Sequence, residues 1–350
     1  MALSKQDPRL AFYCEQDDHI SRLVRRYVLL FYYEDRSIEM RELPKNVPHL
    51  KRTPFPHLKK DDFTLGAVLT IFGGIVTLTA YADEVTRELC EKKSESTVVL
   101  FGEAQLPQVG HYLAILTEEC GFTISSLQMA WVEADAPARF GLPEDLVGGR
   151  VVVAKCARND AIEKGLDYVK RATGARAASN DEEAKAWSQI LLQASRNPVA
   201  VFGDYRCSVV LVKPHALRVQ AGGSIIQRFI DAGLEMTAFV LAELSSRVVD
   251  EFLQPYKGVL PDFGATSHAM AGPVWIVQFV SLDDDVDVVS LTREICGPFD
   301  PAIARAIRPK SIRAVFGVDR AQNAVHCCDL PEEGPLYTDF FFKPRDVENE

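Results

Sequence analysis

The chain has 350 residues, 39 Lys+Arg against 49 Asp+Glu, and a formal net charge of -10, a balance that argues against non-specific nucleic-acid binding while leaving room for local basic patches. With 47% hydrophobic and 25% charged residues it has the composition of globular domains, and it is long enough for two or three ordinary cores. Eight cysteines without a CxxC pair or attendant histidines indicate neither a zinc site nor a disulfide framework, and the absence of an apolar leader or membrane-length run predicts a reduced, non-membrane compartment.

Residues 1 to 93 read as a mostly β domain. YVLLFYYEDRSIEMREL predicts a strand from Tyr27 to Tyr33, a turn over Glu34 to Ser37 and a second strand from Ile38, together a hairpin. VLTIFGGIVTLTAYAD repeats the design, with Gly73 and Gly74 as the expected turn. KRTPFP, Lys51 to Pro56, cannot be a central strand, because two prolines remove ladder donors. No catalytic cluster falls in this region, which leaves a binding or docking part, or a small β domain of unassigned use.

After the charged run RELCEKKSES the chain begins something it does twice. TVVLFGEA (Thr97 to Ala104) matches VVLVKPHA, CGFTISSLQMAWVEAD matches AGLEMTAFVLAELSSR, and Gly121 and Gly233 keep the separation of Phe101 and Lys213. That constant offset marks an internal duplication. Each copy predicts the α+β layering of a split βαβ domain with an antiparallel sheet, over residues 94–203 and 204–345. GARAASNDEEAKA, Gly174 to Ala186, predicts a loop running into a short helix. GGSIIQRFIDAG is an amphipathic helix stopped by Gly233, and GPVWIVQFV a buried strand around Trp275. SLDDDVDV puts Asp283 to Asp285 at a helix start, where acids favour the dipole; a magnesium site is the competing reading.

The chemistry concentrates between Arg293 and Asp329: Arg293 in TREICGP, Arg313 in KSIRAVFG, then Asn323, His326 and Asp329 in NAVHCCD. A histidine three residues after an asparagine, with two arginines upstream, is what a phosphoryl-accepting imidazole needs: the ring as nucleophile, guanidinium forks on the oxygens. Lys213 would add a further charge. The other open reading is a core histidine at a strand end with solvated arginines.

VVLVKPHA, the Arg293 segment, IRAVFG and NAVHCCDLPE resemble the nucleoside diphosphate kinase family, and the order of all three domains looks like that of its axonemal members with an N-terminal doublet-microtubule domain. The resemblance implies a pleckstrin-homology-like β domain over residues 1–93 followed by two ferredoxin-like kinase-fold domains. It implies that Lys213, Arg293 and Arg313 contact phosphate, Asn323 the sugar or a neighbouring hydrogen-bond network, and that His326 is the phosphohistidine. Family enzymes pass a γ-phosphoryl group through that histidine from a nucleoside triphosphate to a diphosphate, with Mg2+ bridging the phosphates and no metal held by the protein alone.

Against that pattern, Leu253 occupies the usual tyrosine position, Pro255 a neighbouring acidic one, Pro261 lies near the base-stacking phenylalanine, Phe299 stands for a threonine, Cys328 for a serine and Tyr337 for the glutamate that orients the imidazole. Tyr256, three residues beyond Leu253, is a candidate substitute for the missing hydroxyl. In the first copy Phe101 stands for the lysine, Lys170 falls near the Arg293 position, and RNPVA puts Ala200 where the histidine belongs, so that copy reads as empty. The resemblance thus predicts a structural microtubule inner protein in the doublet-microtubule lumen of a ciliary or flagellar axoneme. Its partners would be α/β-tubulin and other inner proteins, with nucleotide as a candidate ligand and neither membrane nor nucleic acid. Weak or lost kinase activity in the second copy is the alternative.

Overall fold

The computed structural model describes residues 8–18, 23–72, 74–91, 95–196, 199–260 and 262–343. The chain divides into two compact units, Met1–Ser94 and Glu95–Glu350.

The first unit is one antiparallel sheet of β1 (Arg9–Asp18), β2 (Leu23–Tyr32), β3 (Ser37–Glu42), β4 (Val47–Pro54), β5 (Val68–Ile71) and β6 (Gly74–Tyr81), in the order β4-β3-β2-β1-β6-β5. The pleat of β2 sends Tyr27, Leu29 and Phe31 to one core, where Phe31 stacks on Phe63 at 4.1 Å. Helix α1 (Glu84–Glu91) follows, and Thr86 accepts a hydrogen bond from the Ala11 amide at 2.8 Å. The proline-bearing β4 is an edge strand, as its lost donors require. Of the glycines expected to turn the last hairpin, Gly73 lies outside the described residues. Gly74 is not in the turn: it pairs with Ile71 in the ladder, and Phe72, at φ 47°, takes a turn position.

The second unit carries a continuous sheet of eight strands: β7 (Glu95–Phe101), β8 (Thr123–Trp131), β9 (Arg150–Arg158), β10 (Arg176–Ala177), β11 (Cys207–Val212), β12 (Glu235–Leu244), β13 (Gly272–Val280) and β14 (Val325–Cys327). Its order, β10-β7-β9-β8-β12-β13-β11-β14, is a four-strand pattern followed by its own reverse, so the two copies meet edge to edge where Val240 faces Gln128. Helices α2 (Val109–Ala114), α3 (Ala136–Phe140), α4 (Ala161–Val169) and α5 (Asp181–Arg196) belong to the first copy. The second has α6 (Pro214–Arg218), α7 (Gly222–Asp231), α8 (Ser246–Phe252), α9 (Phe263–Met270), α10 (Val288–Cys296), α11 (Pro301–Ile307), α12 (Ile312–Phe316) and α13 (Glu333–Phe342).

The copies are also joined through helices. α2 and α7 cross at glycines: a Cβ on Gly110 would lie 2.7 Å from the Gly223 carbonyl oxygen, closer than real contacts allow. The apolar stripe of α7, with Ile225, Ile226 and Phe229, enters a core that draws residues from both copies. Arg150 of the first copy bonds Glu103 and reaches Glu235 at 2.5 Å and the Met236 carbonyl at 3.1 Å in the second. β11 is buried at every position because it lies between β13 and β14 with helices on both faces.

The register relocates the empty histidine position. Leu211 faces His326 across β11 and β14, and its counterpart at the Phe101-to-Lys213 offset, Val99, faces Ala177 across β7 and β10. Ala177, not Ala200, therefore occupies the histidine place in the first copy. Ala200 instead packs against the core of the second copy, beside Val201, whose backbone is held in both directions by the Gln278 side chain at 2.8 and 2.7 Å. Spacing misled because α4 ends at Val169 and β10 begins at Arg176, whereas α10 ends at Cys296 and β14 begins at Val325: the first copy lacks the segment that carries α11 and α12.

Three smaller expectations change with it. Counted from the helix caps Asp160 and Asp287, the counterpart of Arg293 is Leu166; Lys170 lies a turn further on and pairs with Asp167 at 2.8 Å. The helix after Gly174 is the long α5, not a short one. Asp283 to Asp285 sit in a turn before α10, and it is Asp287 that caps the helix, accepting from the Ser290 amide at 3.0 Å.

Candidate functional site

The period-two pleat of β14 directs Val325 and Cys327 into the core shared by the two copies and presents His326 and Cys328 to the opposite face, among the aromatics of α8 and α13. The His326 ring has Phe252 and Tyr256 edge-on at 5.4 and 5.7 Å, with Tyr337 stacked at 5.7 Å. Its Nε2 lies 3.1 Å from the Tyr337 hydroxyl. Burial, reinforced by the positive charges of Lys213 and Arg313, pushes its pKa down to about 3, so the imidazole is neutral and nucleophilic at physiological pH.

A cleft of about 480 Å³ opens beside it, lined among others by Tyr256, Arg293, Phe299, Arg313, His326 and Asp329. Three expected site residues, Arg293, Arg313 and His326, thus line the same cleft. Lys213 and Asn323 do not line it. Lys213, 1% exposed at the end of β11, donates to the Ala321 carbonyl at 2.9 Å, and burial beside Arg313 pushes its pKa down to about 7. Asn323, fully buried, donates to the Phe299 carbonyl at 3.0 Å while its Oδ1 has no partner.

The arginines have separate duties. Arg313 donates to the carbonyls of Gly297 at 2.7 Å and Val325 at 3.2 Å, bracing the residue before His326, and its buried Nε is unpartnered. Arg293 is exposed and 3.4 Å from Asp329, an ion pair that an incoming phosphate would have to displace. Glu294 is likewise paired, with Arg308 at 3.0 Å. Among the described residues no three His, Cys, Asp or Glu side chains form a metal cluster.

Two of the departures read from the sequence have structural substitutes. Leu253, in the usual tyrosine place, is buried as a core residue. The chain then leaves α8 and tightens into a 3₁₀ turn over Gln254–Tyr256, which brings the Tyr256 hydroxyl to 2.6 Å from that of Tyr337. Tyr256 also donates to Glu333 Oε1 at 2.6 Å. Glu333, which the sequence reading missed, sits one turn before Tyr337 on α13, and that i, i+4 spacing was the available signal. Phe299 itself carries no hydroxyl, and among the described cleft residues Ser290 has one that donates to Asp287 at 2.6 Å; Pro261 lies outside the described residues.

Residues 206–347 match the family model for nucleoside diphosphate kinase. Nucleoside diphosphate kinase from Aquifex aeolicus is 32% identical over 141 residues, 40% of this chain and 96% of that protein. A crystal structure of the Aquifex enzyme aligns over 39% of this chain and 95% of its own with a TM-score of 0.37. Nucleoside diphosphate kinase homolog 7 of Mus musculus is 30% identical over 383 residues, covering 99% of this chain and 96% of the mouse protein. Similarity sustained from the N-terminal sheet through both copies, and not only across the site-bearing one, shows that the chain belongs to the nucleoside diphosphate kinase homolog 7 family.

Proposed function

We propose that this chain is a structural microtubule inner protein of ciliary or flagellar doublet microtubules, whose second kinase-like copy retains slow phosphohistidine chemistry. The observation that carries the structural part is the fusion of the copies. An emptied copy that has lost its histidine and its α11–α12 segment remains joined to the working one through one sheet, a glycine helix crossing and Arg150. Such retention fits a part kept for rigidity and surface. The first unit, read as a pleckstrin-homology-like doublet-microtubule domain, is the docking part. Its edge strand β4 includes the exposed Lys51, with Lys45 exposed just before it, cations suited to an acidic tubulin surface.

The phosphoryl-transfer part rests on His326. With Nε2 engaged by Tyr337, Nδ1 is the ring nitrogen left to accept a γ-phosphoryl group from a nucleoside triphosphate in the adjoining cleft. Arg293 and Arg313 would face the phosphate oxygens. Mg2+ would arrive on the nucleotide, where it would neutralise phosphate charge. Phe299 supplies no hydroxyl. Loss of one such donor slows transfer roughly 10² to 10³-fold, so turnover is well below that of a dedicated enzyme.

Labelling the purified full-length chain with γ-labelled nucleoside triphosphate and Mg2+ tests the site. Acid-labile phosphate should form slowly and vanish entirely in His326→Ala, because Ala177 leaves the first copy without a nucleophile. Labelling that persists in His326→Ala would refute the assignment of both copies.

A further inference from the structure

The hydrogen bonds around His326 have a direction that the proton count fixes. Tyr256 owns one hydroxyl proton, and at 2.6 Å from Glu333 Oε1 that proton goes to the carboxylate. The 2.6 Å contact between Tyr256 and Tyr337 must then be donated by Tyr337. With its own proton committed, Tyr337 can only accept at the 3.1 Å contact with His326, so Nε2 carries the imidazole hydrogen and Nδ1 the lone pair. Glu333 is itself held as an acceptor, taking the amides of Asp329 at 2.5 Å and Leu330 at 3.3 Å on Oε2.

We propose that Glu333 and Tyr256 are positioning residues that set the tautomer of His326 through Tyr337, so that Nδ1 faces the cleft as the nucleophile. The proposal rests on the phosphohistidine reading above for its purpose, but not for its chemistry. In the transfer the Nδ1 lone pair forms the N–P bond as the γ-phosphorus–oxygen bond breaks, the nucleoside diphosphate leaves with that bonding pair, and the ring proton stays on Nε2. The positive charge gained by the ring is met by the Glu333 carboxylate through two phenol oxygens, a polarised chain in a site of low local dielectric.

Glu333→Gln is the decisive variant because it reverses the chain without changing its shape. The two backbone amides hold the side-chain oxygen, leaving the –NH2 to face Tyr256. Tyr256 must then donate to Tyr337 and Tyr337 to Nε2, which drives the proton to Nδ1. The tautomer is read by nitrogen NMR on the full-length chain labelled at histidine, with the His326 signals assigned by their loss in His326→Gln. The wild type should show the Nε2–H form and Glu333→Gln a shift to Nδ1–H. Phosphohistidine formation should fall roughly tenfold to a hundredfold, the usual cost of an orienting partner. Tyr256→Phe, which removes one oxygen, should also release the preference and guards against misfolding of the first variant. An Nδ1–H wild type, or a tautomer ratio unmoved by both variants, overturns the proposal. The expected tautomers without any phosphate uptake by the wild type uphold the relay and overturn only the phosphoryl-transfer reading.

Discussion

His326 and His215 are held neutral by burial, with pKa values pushed down to about 3 and about 4 from an ordinary 6.5. Between those values and 6.5 the unfolded chain binds more protons than the folded one, so stability falls as pH drops through that window, by about 1.4 kcal/mol per pH unit for each group at most. Thermal melts between pH 4 and 7 should show a shallower slope for His326→Gln; an unchanged slope would contradict the burial argument. Phe299→Thr restores a hydroxyl to the cleft and should speed phosphohistidine formation, by about tenfold or more if the donor reaches phosphate. Rapid labelling kinetics check this, and an unaltered rate would mean that Phe299 is not what limits transfer. At this scale His326, Arg293 and Arg313 were legible in the sequence because residue type and order survive in it. The Tyr256–Glu333 relay was not, because it depends on a 3₁₀ turn and on a helix facing, neither of which changes the order of residues.

Among the elements, α2 and α7 are the joint that a single methyl group tests. A Cβ on Gly223 would strike the backbone of Ala114 and the Gly110 carbonyl, neither of which can yield as a flexible side chain would. Gly223→Ala should destabilise the second unit by about 1–3 kcal/mol. Because the core there is shared, both copies should lose amide-exchange protection together. Loss confined to one copy, or none, would show that the crossing is not what couples them. The duplication itself was plain in the sequence, since matching strands kept a constant offset. Ala200 was misassigned for the opposite reason: the missing α11–α12 segment breaks the offset after α4, and only the pairing of β10 with β7 reveals Ala177. The triple aspartate was drawn into a helix that Asp287 caps two residues later.

For the whole molecule, docking is the proposed role of residues 1–93 and rigidity that of the fused copies. Deleting residues 1–93 should lower occupancy of the chain in purified axonemes while leaving His326 labelling intact, because the first unit forms a separate compact body with its own core. Normal occupancy of the truncated chain would remove the docking role from the β domain. The most direct measurement is electron cryo-microscopy of intact doublet microtubules from cells that make this protein. The predicted result is regularly repeating density for the chain on the luminal wall, with the N-terminal sheet against tubulin or a neighbouring inner protein. Doublets that lack this density, with the protein recovered only in the soluble fraction, would contradict it.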